Sequence, residues 1–300
     1  MKLTNGNYYG AKANKEFMSV SQFKDFQRCE EMAMAKLKGE YEQPKSNALL
    51  LGSFVDEMLT GTKKSQIKFV IENRLDIFQK SSKIHKFGDD ELAELFKDYW
   101  WNIFNDDYKP YSEIVQALKA AEKVQNQPLM MKYLKGKKQQ IMTGEINGVP
   151  FKIKMDSYKP NEYIADLKYL KDFRSPNLFE NAIKYWQYDL QLSVYREIVR
   201  QNTGETLPVY LVIVTKESVP RVAVAEVKEW NLEEPLETVK TLAPRYQAIK
   251  KGEIEPDRCE VCDYCAETTI LTEPIDSDLL GLSSRQIKAA KGEFDCHTQI

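Results

Sequence analysis

The sequence predicts an α/β (α+β) protein whose central mixed β-sheet is flanked by helices and preceded by an N-terminal helical region. Three observations support this class. Apolar residues recur at helical spacing through much of the first 130 residues. An Asn-Gly pair then separates two short strand-like runs, the pattern of a two-residue β-hairpin. A third strand, a helix, two strands and a helix follow in that order, which indicates helices packed around one sheet.

The helical region is expected to begin with a helix over residues 19–39, because Ser19 can cap its start and apolar residues follow at helical spacing. Residues 47–61 predict a second, mostly buried helix that ends at a glycine. Two further helices are expected within residues 89–127, the second ending near Pro128. The first 130 residues are therefore expected to be mainly helical.

The sheet is expected to begin at the hairpin around Asn147-Gly148. After the turn, apolar residues at 151, 153 and 155 alternate with Lys152, Lys154 and Asp156, which predicts a half-buried strand. Residues 162–170 predict the next strand. The remaining elements are expected to be a helix over 181–201, strands over 207–215 and 221–230, and a helix over 233–251.

The composition is that of an ordinary globular protein, with 42% hydrophobic and 29% charged residues. No window approaches 18 uncharged apolar residues, and the first residues lack the apolar segment of a secretory signal, so no membrane association and a cytoplasmic location are expected. The formal net charge of -2 argues against a uniformly basic coat for nucleic acid, but it is compatible with a local basic groove.

A carboxylate and an ammonium group are expected side by side on the third strand. Residues two apart in a strand point to the same face, so Asp166 and Lys168 are neighbours, and Asp156 is expected at the end of the adjacent strand. Two carboxylates at strand ends suit Mg²⁺ or Mn²⁺, and the lysine can orient a water or stabilise charge on a phosphate. Alternating charges on a solvated strand face are common, so this pattern needs support from other residues.

Two helices provide further polar residues. Asp56 follows Gly52 by four residues on an apolar helix, where burying a carboxylate is costly without a partner or a metal ion. Gln191 and Tyr195 lie one helical turn apart on one face of a later helix. A helix edge with a satisfied hydroxyl is the ordinary alternative for the second pair.

These residues resemble the motifs of the RecB-like branch of the PD-(D/E)XK nucleases, and within it the phage RecE-type exonucleases. In that branch a helix with G-x-x-x-H precedes a strand ending in aspartate, then D-x-K or E-x-K on the next strand, then a helix with Q-x-x-x-Y. The matching residues here, in the same order, are Gly52 and Asp56, Asp156, Asp166 and Lys168, and Gln191 and Tyr195. One departure is Asp56 in place of the family histidine, although aspartate is itself a good Mg²⁺ ligand.

The resemblance implies a restriction-endonuclease-like core. It implies a single PD-(D/E)XK nuclease domain over residues 1–300, with a helical region at 15–130, a catalytic core at 138–230, and a C-terminal helix and cysteine segment at 231–300. It also implies the ligands of Mg²⁺ or Mn²⁺, namely Asp56, Asp156, Asp166 and the backbone carbonyl of Leu167. The implied catalytic residues are Asp156, Asp166 and Lys168, with Gln191 and Tyr195 contacting DNA or supporting the site.

Several other polar residues are not expected to belong to this site. Hairpin pairing sets Glu145 opposite Pro150, on the order of 20 Å from Asp156 at the rise of a strand. His85 lies in a polar loop and His297 near the terminus, where surface positions are usual. Neither a Ser-His-Asp set nor a phosphate-binding G-x-x-x-x-G-K-[ST] motif is present.

Three of the five cysteines form a cluster at Cys259, Cys262 and Cys265. This spacing suits thiolate ligation in a reducing compartment, but three thiolates need a fourth ligand to complete a tetrahedral site. Cys29 and Cys296 are the remaining cysteines. Some RecB-like nucleases hold a [4Fe-4S] cluster with one N-terminal and three C-terminal cysteines, and Cys29 with the C-terminal trio resembles that arrangement. Zn²⁺ and unligated structural thiols are the alternatives.

The resemblance implies an exonuclease that degrades linear double-stranded DNA from its ends, 5′ to 3′, in phage or prophage recombination within a bacterial host. It implies a RecT-like single-strand annealing protein as partner and a homo-oligomer. Basic residues around the carboxylate-bearing strands are candidates for phosphate contact, namely Lys152, Lys154, Lys171 and Arg174. The alternative is a non-catalytic DNA-binding or scaffold protein that retains the nuclease fold.

Overall fold

A computed structural model describes the protein over most of its length. The described residues are 1–43, 47–99, 101–105, 107–173, 181–270, 274, 276–282 and 286–287. Arg174, Cys296 and His297 lie outside them. Among the described residues, no helix is both long enough and apolar enough to cross a membrane.

Helices occupy most of the chain before the sheet. They are α1 (Ala11–Glu16), α2 (Val20–Arg28), α3 (Glu30–Lys38), α4 (Asn47–Thr60), α5 (Lys63–Glu72), α6 (Arg74–Ile77), α7 (Asp89–Tyr99), α8 (Ser112–Gln125) and α9 (Pro128–Tyr133), with 3₁₀ turns at Lys83–Lys86 and Trp101–Phe104. The later helices are α10 (Ala182–Tyr185), α11 (Tyr188–Thr203), α12 (Trp230–Lys251) and α13 (Asp263–Thr268), followed by a 3₁₀ turn at Ser277–Leu279.

Five strands form one mixed sheet, which confirms the predicted fold class. The strands, which lie side by side in chain order, are β1 (Lys137–Ile146), β2 (Val149–Lys159), β3 (Tyr163–Leu170), β4 (Val209–Thr215) and β5 (Val222–Val227). Neighbours are antiparallel except β3 and β4, which are parallel and joined through α10 and α11. The β1–β2 hairpin pairs Glu145 with Pro150, as predicted.

The sheet separates two hydrophobic cores. On one face, Ile153 and Met155 of β2 pack with residues of α2, α11 and α12. On the other face, Ala165 and Val212 pack with residues of α4, α5, α7 and α8. Because β3 and β4 are covered on both faces, their side chains are buried almost without interruption. Polar groups at the centre of these strands therefore have little access to bulk water.

Two predicted helices differ from the structure. The helix expected over residues 19–39 is two helices, because Cys29 adopts an extended conformation with φ −166° and interrupts the helical turn. The helix expected from residue 181 is also two, interrupted before Gln187, whose φ of 52° is left-handed. Helices α5 and α6 were not predicted, because this stretch is short and dense in polar residues.

Two glycines in different surroundings give a test of the packing. A Cβ atom on Gly136 would lie 2.7 Å from the backbone carbon of Tyr158, whereas nothing lies within 4 Å of one on Gly52. We expect Gly136→Ala to lower the free energy of unfolding by about 1–3 kcal/mol, because backbone atoms must shift. Gly52→Ala should raise it by about 0.5–1 kcal/mol, because alanine favours a helix interior. Urea unfolding measures both, and equal effects of the two substitutions would contradict the described β1–β2 packing.

Candidate active site

The candidate site lies where β2 and β3 diverge. Their backbone pairing ends at Ser157 and Ala165, and continuing the same register would set Asp156 opposite Asp166. The carboxylate oxygen Oδ2 of Asp156 instead accepts a hydrogen bond from the backbone N–H of Leu167 at 3.0 Å. A side chain thus replaces the lost bond of the ladder and satisfies a backbone donor. Asp156 was expected at the end of its strand, but β2 continues for three residues to Lys159.

A closed hydrogen-bond network surrounds Asp166 and Lys168. The Lys168 ammonium lies 2.5 Å from Oδ2 of Asp166 and donates to Oε1 of Gln191 at 3.0 Å. The side-chain amide of Gln191 donates to Oδ1 of Asp166 at 2.9 Å and to the Tyr195 hydroxyl at 3.0 Å. That hydroxyl donates to the carbonyl of Lys154 at 3.0 Å. The structure therefore brings together the two predicted strand residues and the two predicted helix residues.

Asp56 reaches the same region from α4. Its Oδ1 accepts a hydrogen bond from the Thr60 hydroxyl at 3.3 Å, one turn later on the helix. Its Oδ2 lies 3.3 Å from the side-chain nitrogen of Gln139, which also lies 3.4 Å from Oδ1 of Asp156. One amide of β1 thus contacts both carboxylates.

Gln139 was not identified from the sequence. It has a φ of 48°, a left-handed conformation that is uncommon for residues other than glycine. The register of β1 and β2 would set it opposite Asp156. A glutamine within a run of polar residues gives no sequence signal for this geometry, because the backbone conformation depends on the folded sheet.

The four predicted cysteines form a second cluster away from the sheet. The sulfur of Cys29 lies 3.6 Å from that of Cys265, and the sulfur of Cys259 lies 3.9 Å from the same atom. All four sulfurs, including that of Cys262, lie within 4.8 Å of one another. Cys29 reaches this position because it occupies the break between α2 and α3. The chemistry of the donor set therefore fits one thiophilic metal centre.

A salt-bridge network holds the cysteine loop against the helices. Arg245 on α12 donates to both carboxylate oxygens of Glu30, at 2.7 and 2.8 Å, and to Asp257 at 2.9 Å. The backbone N–H of Asp257 donates to the same Glu30 carboxylate at 2.8 Å. Glu30 follows Cys29 directly, and Asp257 lies two residues before Cys259. These bonds therefore hold Cys29 close to the loop that carries Cys259.

Other predicted residues lie elsewhere. Lys152 is only 1% exposed, and its ammonium donates to the Tyr8 carbonyl at 2.5 Å and to Oδ1 of Asn14 at 2.7 Å. The prediction that Lys152 contacts phosphate is therefore wrong, because its charge is enclosed by the N-terminal segment. Lys171 is exposed. His85 bonds to the Gln79 carbonyl at the surface.

The comparisons with known proteins agree with this architecture. Residues 19–268 match the family described as a PDDEXK-like domain of unknown function, DUF3799. The chain belongs to this family. The PD-(D/E)XK fold implied by its motifs is confirmed.

Two solved structures align with the chain. The crystal structure of a protein named "Putative exonuclease", from Eubacterium rectale, is 37% identical with a TM-score of 0.79, covering 93% of this chain and 98% of that chain. The structure of the protein SSO0001 aligns at 14% identity with a TM-score of 0.33, over 78% of this chain and 100% of that chain, and supports no conclusion. No curated protein matches the chain.

The carboxylates of this DUF3799 site carry more negative charge than their surroundings balance. Burial, then the nearby charges of Asp166 and Asp56, raise the pKa of Asp156 well above its ordinary value. Burial also raises the pKa of Asp56 to about 6, against the opposing effect of the Thr60 hydrogen bond. Burial disfavours the charge of Lys168, but the carboxylates of Asp166 and Asp156 outweigh it and raise the pKa of the lysine. Lys168 acts on Asp166 and Asp156, and Lys138 acts on Asp56 and Asp156, so two ammonium groups face three carboxyl groups.

This charge imbalance and the oxygen donors fit a divalent cation such as Mg²⁺. The N–H and C=O groups of one strand residue face the same edge, so the carbonyl of Leu167 faces the gap that its N–H faces. Among the described residues, however, the four cysteines are the set of metal-binding side chains whose ligand atoms already lie close together. A cation between Asp56 and Asp156 requires the Gln139 amide to turn away.

The burial of Asp56 predicts a pH-dependent stability. Its pKa is about 6 in the folded chain and ordinarily 3.8, so stability is lost as the pH rises from about 4 through 6 and the buried group ionises. In EDTA at pH 8, the free energy of unfolding of Asp56→Asn, measured in urea, should therefore exceed that of the wild type by about 3 kcal/mol, with little difference at pH 4.

Excess Mg²⁺ at pH 8 should reduce or reverse this difference in free energy of unfolding. The ion would stabilise the wild type more than the variant, because the variant lacks the Asp56 carboxylate as a ligand. Asparagine retains Oδ1 for Thr60, which isolates the effect of charge. A variant less stable than the wild type at pH 8 in EDTA would show that the Asp56 charge is well compensated.

Proposed function

We propose that the protein is a metal-dependent DNA nuclease, and that it hydrolyses phosphodiester bonds of linear double-stranded DNA as an exonuclease. One observation supports this most directly. Asp156 and Asp166 face each other at the divergence of β2 and β3, and Lys168 is held beside them by Gln191. The DUF3799 family is PDDEXK-like, and a 37% identical structural relative bears the name of an exonuclease.

The cation would be Mg²⁺ or Mn²⁺, held by Asp56, Asp156, Asp166 and the carbonyl of Leu167. When bound, such an ion lowers the pKa of a coordinated water and offsets charge on the phosphate. Its binding would also relieve the electrostatic repulsion among the carboxylates, which helps to raise the pKa values of Asp56 and Asp156.

Lys168 would act as a cation and hydrogen-bond donor. Its pKa is raised, so the side chain stays protonated at neutral pH and is suited to stabilise negative charge on a phosphate oxygen. Gln191 holds Lys168 and Asp166 in position relative to each other. Its amide oxygen accepts a hydrogen bond from Lys168, and its amide nitrogen donates one to Asp166. Tyr195 holds the amide in that orientation by connecting it to β2.

The direction of cleavage and the partner follow from the family resemblance. We propose 5′ to 3′ degradation that leaves a 3′ overhang for a RecT-like annealing protein during phage or prophage recombination, with the nuclease as a homo-oligomer. A non-catalytic DNA-binding scaffold is the competing function. The raised pKa values of Asp56 and Asp156 argue against it, because a scaffold gains nothing from buried carboxylates that destabilise the fold.

End-labelled linear duplex incubated with Mg²⁺ tests the catalytic assignment. We expect Asp166→Asn and Lys168→Met each to lower the rate by at least about 100-fold, since each removes a charge that acts on the phosphate or its cation. EDTA should abolish cleavage. The matched control is Glu145→Gln, which removes a carboxylate on the same hairpin far from the site, and its rate should equal that of the wild type.

The form of the DNA separates the finer alternatives. A closed circular duplex should not be cut by the wild-type protein. A linear duplex labelled at its 5′ ends should release labelled mononucleotides earlier than the same duplex labelled at its 3′ ends. Cleavage of the circle would indicate an endonuclease, and early release of a 3′ label would reverse the polarity. Equal, EDTA-insensitive behaviour of the wild type, Asp166→Asn and Lys168→Met would support the scaffold instead.

We further propose that the cysteine cluster holds one tetrahedral ion, with Zn²⁺ as the occupant. Four sulfurs bound at about 2.3 Å to one tetrahedral ion lie about 3.8 Å apart. The separations of 3.6 and 3.9 Å match this value. In the [4Fe-4S] alternative each cysteine binds a different iron, which holds the sulfurs further apart than around a single ion.

Elemental analysis of the purified protein tests this assignment. We expect one zinc per chain and no absorbance near 400 nm, and Cys262→Ser should lower the thermal midpoint and the zinc content together, because the loop has little apolar content of its own. Val261→Ser, which changes a neighbouring exposed side chain, serves as the control. Four irons per chain with absorbance near 400 nm would establish the cluster instead, and an equally stable metal-free protein would exclude both.

A further inference from the structure

Two groups of aromatic rings, each with at least one exposed ring and each next to a lysine, are connected by contacts to the candidate catalytic residues. We propose that they bind unpaired nucleotides of the DNA strand that enters the site, so that the strand to be cut is separated from its complement. This inference rests on the proposed nuclease function and extends it to the form of the substrate.

The first group, the tyrosine patch, consists of Tyr8 and Tyr9 with Lys154. The Tyr9 ring is 68% exposed and meets the buried ring of Tyr8 edge to face at 5.0 Å. The Lys154 ammonium lies 4.4 Å from the centre of the Tyr9 ring. Lys154 precedes Asp156 by two residues, and its carbonyl binds the Tyr195 hydroxyl. The tyrosine patch is therefore fixed directly to the catalytic network.

The second group, the tryptophan patch, consists of Tyr185 and Trp186 with Lys24. Trp186 is 49% exposed and Tyr185 40%, and their rings meet edge to face at 4.9 Å. The left-handed backbone of Gln187 ends α10 here and starts α11 in a new direction. This patch therefore lies just over one helical turn before Gln191.

The tryptophan patch is also tied to Lys168. The Lys24 ammonium donates to the carbonyl of Trp186 at 3.0 Å. Lys24 and Lys168 both lie over the ring of Tyr188, at 5.8 and 4.7 Å from its centre. Trp186 is thus connected to the Lys168 ammonium through Lys24 and the ring of Tyr188.

The chemistry of the patches favours a polyanion with exposed rings. Within the described part of the chain, no salt bridge joins Lys154 to a carboxylate, so this cation is available to a phosphate. The Lys24 ammonium is largely buried, bonded to the Trp186 carbonyl and close to Asp166 and Asp189, and it holds the tryptophan patch in place. Aromatic side chains bind the faces of bases irrespective of sequence, with lysines along the backbone. Paired bases in a duplex are stacked on each other and do not offer those faces to a protein ring. The occupant that fits is an unpaired strand.

Equilibrium binding in EDTA tests the inference without hydrolysis. The probes are a fluorescently labelled single-stranded DNA oligonucleotide, a blunt duplex of the same sequence, and an oligonucleotide of abasic sites with the same number of phosphates. We expect Trp186→Ala to weaken binding of the single strand by about 5- to 150-fold, and Tyr9→Ala to weaken it within the same range. Trp186→Phe should restore most of the affinity.

The matched control is Trp230→Ala, which removes another exposed tryptophan, 69% accessible, at the start of α12. Its affinity for the single strand should equal that of the wild type. The abasic strand should bind the wild type at least as weakly as the intact strand binds Trp186→Ala, because it loses stacking on both patches, and the blunt duplex should bind both proteins alike. Circular dichroism confirms that each variant is folded.

Equal affinity of the wild type and Trp186→Ala for the single strand, or of the wild type for intact and abasic strands, would overturn the inference. A loss of affinity for the blunt duplex equal to that for the single strand would also overturn it. Hydrolysis in Mg²⁺ is measured separately. A protein that binds as expected but does not cut fails only the proposed function, and one that cuts without dependence on Trp186 fails only this inference.

Discussion

The hydrogen bond from the Leu167 backbone to the Asp156 carboxylate is the interaction on which the site depends. Two antiparallel strands that remained paired would satisfy this N–H with a carbonyl and leave no space between them. Because β2 and β3 separate after Ser157 and Ala165, the side chain of Asp156 takes over the bond and the gap opens beside it. The backbone of Leu167, the carboxylate of Asp166 and the amide of Gln139 then face one region. Asp56 from α4 and Gln191 from α11 reach the same region.

Three carboxyl groups lie close together around that gap, although burial and mutual repulsion disfavour the charged forms of Asp56 and Asp156. Asp166 is bonded on one side by Lys168 and on the other by Gln191, so its orientation is fixed before any ligand arrives. Asp56 and Asp156 share contacts with the neutral amide of Gln139 and the charge of Lys138, and burial raises the pKa values of both carboxyl groups. Asp166, whose orientation is fixed, thus binds the lysine. Asp56 and Asp156 repel each other, and they are the carboxylates that a cation would stabilise. At Asp56, the charge that would bind the proposed cation lowers the stability of the folded chain.

Much of the fold and of the site could be predicted, because both depend on short repeating patterns. The Asn147-Gly148 turn fixed the hairpin register, the two-residue period set Asp166 beside Lys168, and the helical period set Gln191 beside Tyr195. The features that were missed depend on local backbone conformation or tertiary contacts. The left-handed conformations of residues 139 and 187, the break at Cys29 and the enclosed ammonium of Lys152 have no periodic signature. Each is imposed by neighbours distant in the chain.

The break at Cys29 has a consequence for the unfolded chain as well as for the folded one. Cys29 and Cys265 are 236 residues apart in sequence. An ion shared by their sulfurs would act as a cross-link that closes nearly the whole polypeptide into a single loop. A covalent link over a loop of that length removes chain entropy worth about 5 kcal/mol from the denatured ensemble. The small cysteine cluster would therefore constrain the sheet and both cores without contacting most of them, and release of the ion would convert a closed chain into an open one.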